Sequence, residues 1–381
     1  MNPLHLYIHW PFCKSKCPYC DFNSHVRDRI DESEWLAGYL REIDYFADHI
    51  RKYKIKTIFF GGGTPSLMSP DTVKAIIDKL RSISNFDNIE ITLEANPTSS
   101  ESSKFKQFKE SGINRLSIGI QSLIDEQLKF LGRNHSAKEA LQTIEMASKI
   151  FNNYSFDLIY ARPDQTEESW KLELSEALSY AVNHISLYQL TIEKGTPFYK
   201  DARDKKFIVP DQDKALDLYE ITTEALESKG LMRYEISNYA LPGKESQHNL
   251  GYWNYREYLG IGAGAHSRIK IDGKLHHIMT IHNPEKWLES TKKYSHGIQQ
   301  NIAMKDSEIV SEFFLMGLRL QNGIDLNRLK TEHGIDPFKF ILKDELKLFE
   351  KENFLQYNKG NLNLTNSGKL LLNRIVSRLL I

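Results

Sequence analysis

An α/β fold built on a parallel sheet is what this sequence predicts. Three observations carry the expectation. Short β-patterned runs alternate with helical runs through the first half of the chain, polar or glycine-bearing motifs recur where those runs end, and all three cysteines fall in one loop after the first run. Strands separated by helices form right-handed βαβ units and hence a parallel sheet.

Leu4–His9 reads as the first strand, with Leu4, Leu6 and Ile8 on one face and His5, Tyr7 and His9 on the other. A helix follows from about Glu34, capped by Asp31, with Leu36, Leu40, Ile43, Ala47 and Ile50 as its apolar stripe. Ile55–Phe60 is the second strand, and Ser69-Pro70 opens a helix with serine as cap and proline in the first helical position. Ile89–Glu94, Asn114–Ile120, Ser155–Ile159 and Ile185–Thr191 complete a set of six strands, the helix before the fourth stopping at Gly112. Six such units make either an open sheet or a partial barrel, and periodicity does not separate the two.

Another helix runs from Asp211 to about Gly230. Then come a glycine-rich run, Leu259-Gly260-Ile261-Gly262-Ala263-Gly264, a hairpin turned at Asp272-Gly273, and a helix opened by Asn283-Pro284. The C-terminal stretch reads helix, helix, helix, hairpin, helix, with Lys359-Gly360 near the hairpin turn and an apolar end, Leu370–Ile381, to pack on it. That order suggests a winged-helix-like α+β domain. Near-neutral charge and the lack of a basic recognition helix point to a structural or capping role rather than DNA binding. The expected division is 1–230 for the sheet domain, 231–300 for a linking region and 301–381 for the C-terminal domain.

Lysine plus arginine total 50, as do aspartate plus glutamate, so the formal net charge is zero. This argues against a nucleic-acid binder and against a polybasic membrane anchor. No apolar run reaches the ~18 residues of a membrane span, and no basic start leads into an apolar stretch, so a cytoplasmic protein is expected.

Cys13, Cys17 and Cys20 have C-x3-C-x2-C spacing directly after the first strand. Three thiolates on a short loop can hold three irons of a [4Fe–4S] cluster and leave the fourth iron open, because the chain has no fourth cysteine. An open iron is what reductive cleavage of S-adenosylmethionine requires. Two other chemistries compete: a zinc site completed by His9 or His25, and a thiol–disulfide oxidoreductase using Cys17 and Cys20.

The other strand ends give an independent check. Gly61-Gly62-Gly63-Thr64-Pro65 follows the second strand, and its glycines let backbone groups approach a ligand. Glu94-Ala95-Asn96-Pro97 ends the third strand and Gly119-Ile120-Gln121-Ser122 the fourth. Asp157 lies inside the apolar fifth strand and needs a partner or a task; Arg133 is either that partner or a contact for a second ligand.

Cys13–Cys20, Gly61–Pro65, Glu94–Pro97 and Gly119–Ser122 together resemble the radical SAM superfamily, in the branch that holds oxygen-independent coproporphyrinogen III oxidase and the HemW-type heme chaperones. The resemblance spans essentially the whole chain and implies a partial (βα)6 barrel with the cluster at its mouth. It assigns the cluster to Cys13, Cys17 and Cys20, and the cluster-bound S-adenosylmethionine to Tyr7, Gly62 and Glu94. Positions matching Tyr19, Gly63, Thr64, Gln121, Arg133 and Asp157 hold a second S-adenosylmethionine in the oxidase.

Phe22 stands where the oxidase has a further cysteine, and the oxidase carries a long segment ahead of the first strand, whereas Leu4 lies close to the start here. Both departures weaken the oxidase reading. His248-Asn249-Leu250-Gly251-Tyr252-Trp253 resembles the H-N-x-x-Y-W signature of the chaperones. Imidazole is the usual axial ligand of heme iron, and Tyr252 and Trp253 could stack on a porphyrin. The resemblance thus implies a heme chaperone with His248 as ligand, delivering heme to acceptor hemoproteins such as membrane-bound respiratory enzymes. It places the chain in the cytoplasm or at the periphery of the inner membrane, and leaves a homodimer open. Ala161-Arg162-Pro163 replaces the family's usual Gly-Leu-Pro after the fifth strand, and Arg162 is expected to pair with a propionate or face solvent.

Overall fold

The computed structural model describes residues 2–27, 29–180 and 183–381. Six parallel strands, Pro3–Trp10, Lys54–Gly62, Glu90–Ala95, Arg115–Gln121, Tyr154–Tyr160 and His184–Gln189, lie side by side in sequence order. A doubly wound sheet reverses its order at a switch point; an unbroken order with right-handed crossovers keeps the helices on one face. The sheet therefore curls into a partial barrel. Tyr258–Ile261 adds in parallel to the free edge of the first strand, and His266–Ile271, Lys274–Thr280 and Ile298–Ala303 continue from it as an antiparallel ladder.

Both faces of the first strand are largely buried, so its alternation separates two interiors rather than core from water. Leu4, Leu6 and Ile8 join the apolar layer beneath the helices. Register places His5, Thr57 and Glu90 on the other face at the amino ends of the strands, Tyr7 and Phe59 above them, and Glu94, Ser117 and Asp157 toward the carboxyl ends. The barrel lumen is thus polar and aromatic.

The first helix runs Glu32–Tyr45, with the Asp31 side chain accepting from the Glu34 backbone N–H at 3.3 Å. Its buried stripe is Trp35, Tyr39, Glu42 and Ile43; Leu36 and Leu40 are half-buried. The stripe is turned from the expected one because Trp35 stacks on Trp287 (5.4 Å between centroids, 8° between planes) and Glu42 accepts from the Trp287 indole and from the Gly262 and Gly297 backbone.

The Asp272-Gly273 hairpin forms with φ of 49° and 80°, and Lys359-Gly360 turns the C-terminal hairpin with 48° and 94°. A separate core gathers Phe313, Phe314, Leu329, Phe349, Leu362 and Ile375. The helix–helix–helix–hairpin order appears as read, with a third short strand, Ile324–Asp325, added to the hairpin. Leu372, Ile375, Val376 and Leu379 of the last helix are buried, whereas Leu370, Leu371 and Ile381 remain exposed.

Candidate functional site

The carboxyl ends of the strands open into a cleft enclosing about 1040 Å³, counted out to solvent, lined by all three cysteines and by Gly62, Gly63, Glu94, Gln121, Arg133 and Asp157. The glycines are there because nothing larger fits. A Cβ on Gly62 (φ 113°) would lie 2.6 Å from the His9 imidazole, and one on Gly63 would lie 2.6 Å from the Phe12 carbonyl oxygen.

Cys13, Cys17 and Cys20 are free and half-buried. The Thr64 hydroxyl donates to Cys13 Sγ at 3.4 Å, and Arg133 Nη1 donates to Cys17 Sγ at 3.3 Å. Arg133 also donates to Asn96 Oδ1 (2.6 Å) and to the Gly119 carbonyl (2.8 Å), and the Asn96 amide donates to Thr64 Oγ1 (3.0 Å). One network therefore joins the ends of the second, third and fourth strands to the cysteine loop. Asn96 is its hub; as an ordinary turn residue beside Pro97 it carried no sequence signal of that task.

This donor set fits an iron–sulfur cluster. Burial raises the Cys13 and Cys20 thiols, and the neighbouring cysteines add to it, so the loop favours thiolates only against a cation. The Thr64 hydroxyl works the other way at Cys13, where its hydrogen bond favours the thiolate. Among the described residues no three His, Cys, Asp or Glu side chains close on a single metal ion, as a tetrahedral zinc site demands.

The inner wall fits a cationic ligand. Burial first, then Asp157, holds the Glu94 carboxyl up at about 8, and burial holds Asp157 up at about 6. Glu94 accepts from the Gly62 N–H at 3.2 Å, and Asp157 Oδ1 is buried without a partner. Two recessed carboxyl groups short of donors suit an ammonium or a sulfonium. The Arg133 guanidinium does not pair with Asp157: its Nη groups bond Cys17, Asn96 and Gly119 instead, and its Nε is left without a partner. Burial raises Tyr19, which sits near Arg133 and Cys17. Gln121 adopts φ 71° as the chain turns out of the fourth strand.

Arg162 also corrects an expectation. It reaches neither solvent nor the cleft: it is buried, bound to Glu173 and Ser122, and Glu173 also accepts from the Leu123 N–H at 2.8 Å. The pair ties the fourth and fifth strand ends to the helix Glu167–Tyr180. Ala161 before it holds φ 56°, a conformation natural to the glycine it replaces.

His248 lies at the other end of the barrel. The short helix Gln247–Trp253 closes the floor, with Glu90 accepting from the backbone N–H groups of Gln247 (3.1 Å) and His248 (3.0 Å). Gly251 lets the helix approach; a Cβ there would lie 2.5 Å from the His5 ring. The imidazole is 1% exposed, stacked on Phe59 at 4.8 Å and 24°. Its Nδ1 lies 2.7 Å from the Thr57 hydroxyl, which also bonds His5 Nδ1 at 2.8 Å. Its Nε2 is buried with no partner. Tyr7 stacks between floor and mouth, 6.4 Å from His248, and its hydroxyl bonds His9 Nδ1 at 3.1 Å. Tyr252 and Trp253 form no shared platform: Tyr252 meets His248 edge-on at 4.8 Å, whereas Trp253 lies under the Arg319 guanidinium at 4.5 Å.

Comparison with known proteins bears on the family and the fold. Residues 7–175 match the radical SAM superfamily model, and residues 305–371 match the HemN C-terminal domain. The heme chaperone HemW of Haemophilus influenzae is 35% identical over 99% of this chain and 97% of its own length. HemW of Escherichia coli is 34% identical over 99% and 98%. A bovine mitochondrial protein, radical S-adenosyl methionine domain-containing protein 1, is 37% identical over 84% of this chain and 74% of its own. Among solved structures, coproporphyrinogen III oxidase (HemN) of Escherichia coli superposes with a TM-score of 0.81 at 21% identity, covering 99% of this chain and 89% of that one. That likeness establishes the fold.

Proposed function

The chain belongs to the radical SAM superfamily, in the family of the HemW heme chaperones, and from that premise we propose that it binds heme and passes it to acceptor hemoproteins. Near-full-length identity to proteins of that name is the observation that carries the reading. In it, Cys13, Cys17 and Cys20 hold a [4Fe–4S] cluster, and Glu94, Gly62 and Tyr7 hold S-adenosylmethionine, with its cationic groups against the Glu94 and Asp157 carboxyls. When bound, the cluster with one open iron supplies an electron for cleaving that molecule. Of the residues of the second oxidase subsite, Thr64 and Arg133 brace the cysteine loop here, Tyr19, Gly63 and Gln121 shape the cleft, and Asp157 joins Glu94.

His248 is the heme ligand in this reading. The Thr57 hydroxyl meets His248 at Nδ1, and Nε2 has no protein partner; in the tautomer whose Nδ1–H donates to Thr57, Nε2 keeps its lone pair for iron. Because that nitrogen is walled in, heme reaches it only when the helix Gln247–Trp253 swings away from Glu90 and His5. Residues 1–230 form the cofactor domain, 231–300 the region that carries the heme motif, and 301–381 the domain that steadies Trp253. The protein works in the cytoplasm or at the inner membrane's surface, alone or as a homodimer, with membrane-bound respiratory hemoproteins as the first acceptors to try. Among the described residues no helix is long and apolar enough to cross a membrane.

The test is anaerobic transfer of heme from the loaded, cluster-containing chain to an apo-hemoprotein, beside an assay for coproporphyrinogen III decarboxylation. Transfer without decarboxylation supports the chaperone. Steady decarboxylation without transfer overturns it.

A further inference from the structure

The floor histidine is shut away, yet the opposite end of the barrel carries two exposed imidazoles, His266 and His282, beside the half-buried His277 and Met279. His266 and Arg268 of one strand, and His277 and Met279 of the next, share one face of the antiparallel ladder, since His266 pairs with Met279 and Arg268 with His277; Arg268 also pairs with Tyr258, the partner of His5, so this face continues the lumen face beyond the barrel's edge. Ile302 is the register partner of His277 and is exposed on the same face. Ser267, Ile269 and Ile278 point the other way, into the core. His282 follows just beyond the strand.

These groups touch. His266 Nδ1 lies 3.1 Å from His277 Nε2, with the rings stacked at 5.3 Å and 17°, and His282 Nε2 lies 3.3 Å from Met279 Sδ. His282 stands perpendicular to His266 at 6.2 Å. The patch adjoins the cleft, because Asn23, three residues past Cys20, donates its side-chain amide to the carbonyls of Ala263 and His282, each at 3.0 Å.

Resting on the heme-chaperone reading, we propose that His266, His277, His282 and Met279 form a second, exposed heme site on the rim of the cluster cleft, at which heme is exchanged. Imidazole and thioether are the two common protein ligands of heme iron. Heme iron needs only one or two of them, whereas a bare cation needs three or four convergent donors, and the described residues offer no such set. The flat ladder face with Met279 and Ile302 gives a porphyrin apolar contact, and its propionates stay in water, avoiding the cost of burying charge. Exposure makes the site labile, which suits exchange, while the enclosed His248 suits retention.

The experiment titrates hemin into the cluster-loaded full chain and follows the Soret band. Four forms are compared: wild type, His248→Gln, the triple variant H266Q/H277Q/H282Q, and the two combined. The expected result is saturable, imidazole-type binding by His248→Gln that the triple substitution weakens by at least about tenfold. Metal-free protoporphyrin IX should bind the wild type and the triple variant alike at the rim, because it offers no iron to ligate. Iron counts confirm that each variant keeps its cluster. Equal hemin affinity with and without the three histidines overturns the rim site but leaves the chaperone reading intact. Loss of all binding in His248→Gln alone does the same. No binding by wild type overturns the chaperone reading, and the rim site with it.

Discussion

The mouth and the floor of the barrel are built from the same strands to opposite ends. At the mouth, Asn96, Arg133 and Thr64 tie the cysteine loop to three strand ends around an open cleft. At the floor, His248 is enclosed by Phe59, Tyr7, Thr57 and its own helix. The mouth is preformed as an open cleft. The floor is closed over the His248 imidazole, whose Nε2 is left without a partner. A ligand can enter the mouth as it stands, but the floor must first open, so the two ends should respond to substitution in different ways.

The largest effect is expected at the mouth. Cys17→Ser should reduce iron and acid-labile sulfide to background after anaerobic reconstitution, while the unfolding free energy of the cluster-free chain changes by no more than about 1 kcal/mol. A collapse of stability would mean that the loop is part of the core and not a preformed holder.

Glu90→Gln sharpens the contrast from below. It weakens charge-assisted bonds to two backbone N–H groups of the floor helix and loosens the pair with Arg115, 3.9 Å away. We expect a loss of about 2 kcal/mol in global stability. Amide exchange in 247–253 should quicken by more than that loss accounts for, because the helix opens locally. Exchange that tracks the global loss alone would show that the floor does not open by itself.

The smallest effect is electrostatic. Glu94 at about 8 and Asp157 at about 6 keep protons that unfolded carboxyls release near pH ~4. Between these values the folded chain binds more protons than the unfolded one, so without ligand its stability declines as pH rises through that window. Glu94→Gln should flatten the fall in melting temperature between about pH 5 and about pH 8. A slope equal to that of wild type would show that the carboxyl is already ionised at the lower end.

The mouth was legible in the sequence because its chemistry sits in contiguous motifs at strand ends: Cys13–Cys20, Gly61–Pro65 and Glu94–Pro97. All six strands were legible too, since each is a short apolar run beside a helical pattern. The partners were not. Charge alone left Arg133 either to Asp157 or to a second ligand, yet distance decides, and Arg133 faces Cys17. Arg162 read as a surface or substrate group because its acceptor, Glu173, is a charged residue that the helix Glu167–Tyr180 buries beside Trp170, Leu174 and Ala177, a placement that pattern alone does not show. The enclosure of His248 was invisible for a similar reason: Thr57, Phe59 and Glu90 meet it through register, nearly 200 positions away along the chain for Thr57 (|i−j| 191).

The account turns on His248 holding heme behind a closing helix. The direct measurement is the heme that stays with the anaerobically purified, cluster-loaded chain through gel filtration, compared between wild type and His248→Ala with equal iron content in the cluster. The account predicts that wild type keeps its heme and that the variant, left with only labile binding, loses it during the run. Equal retention by the two would contradict it.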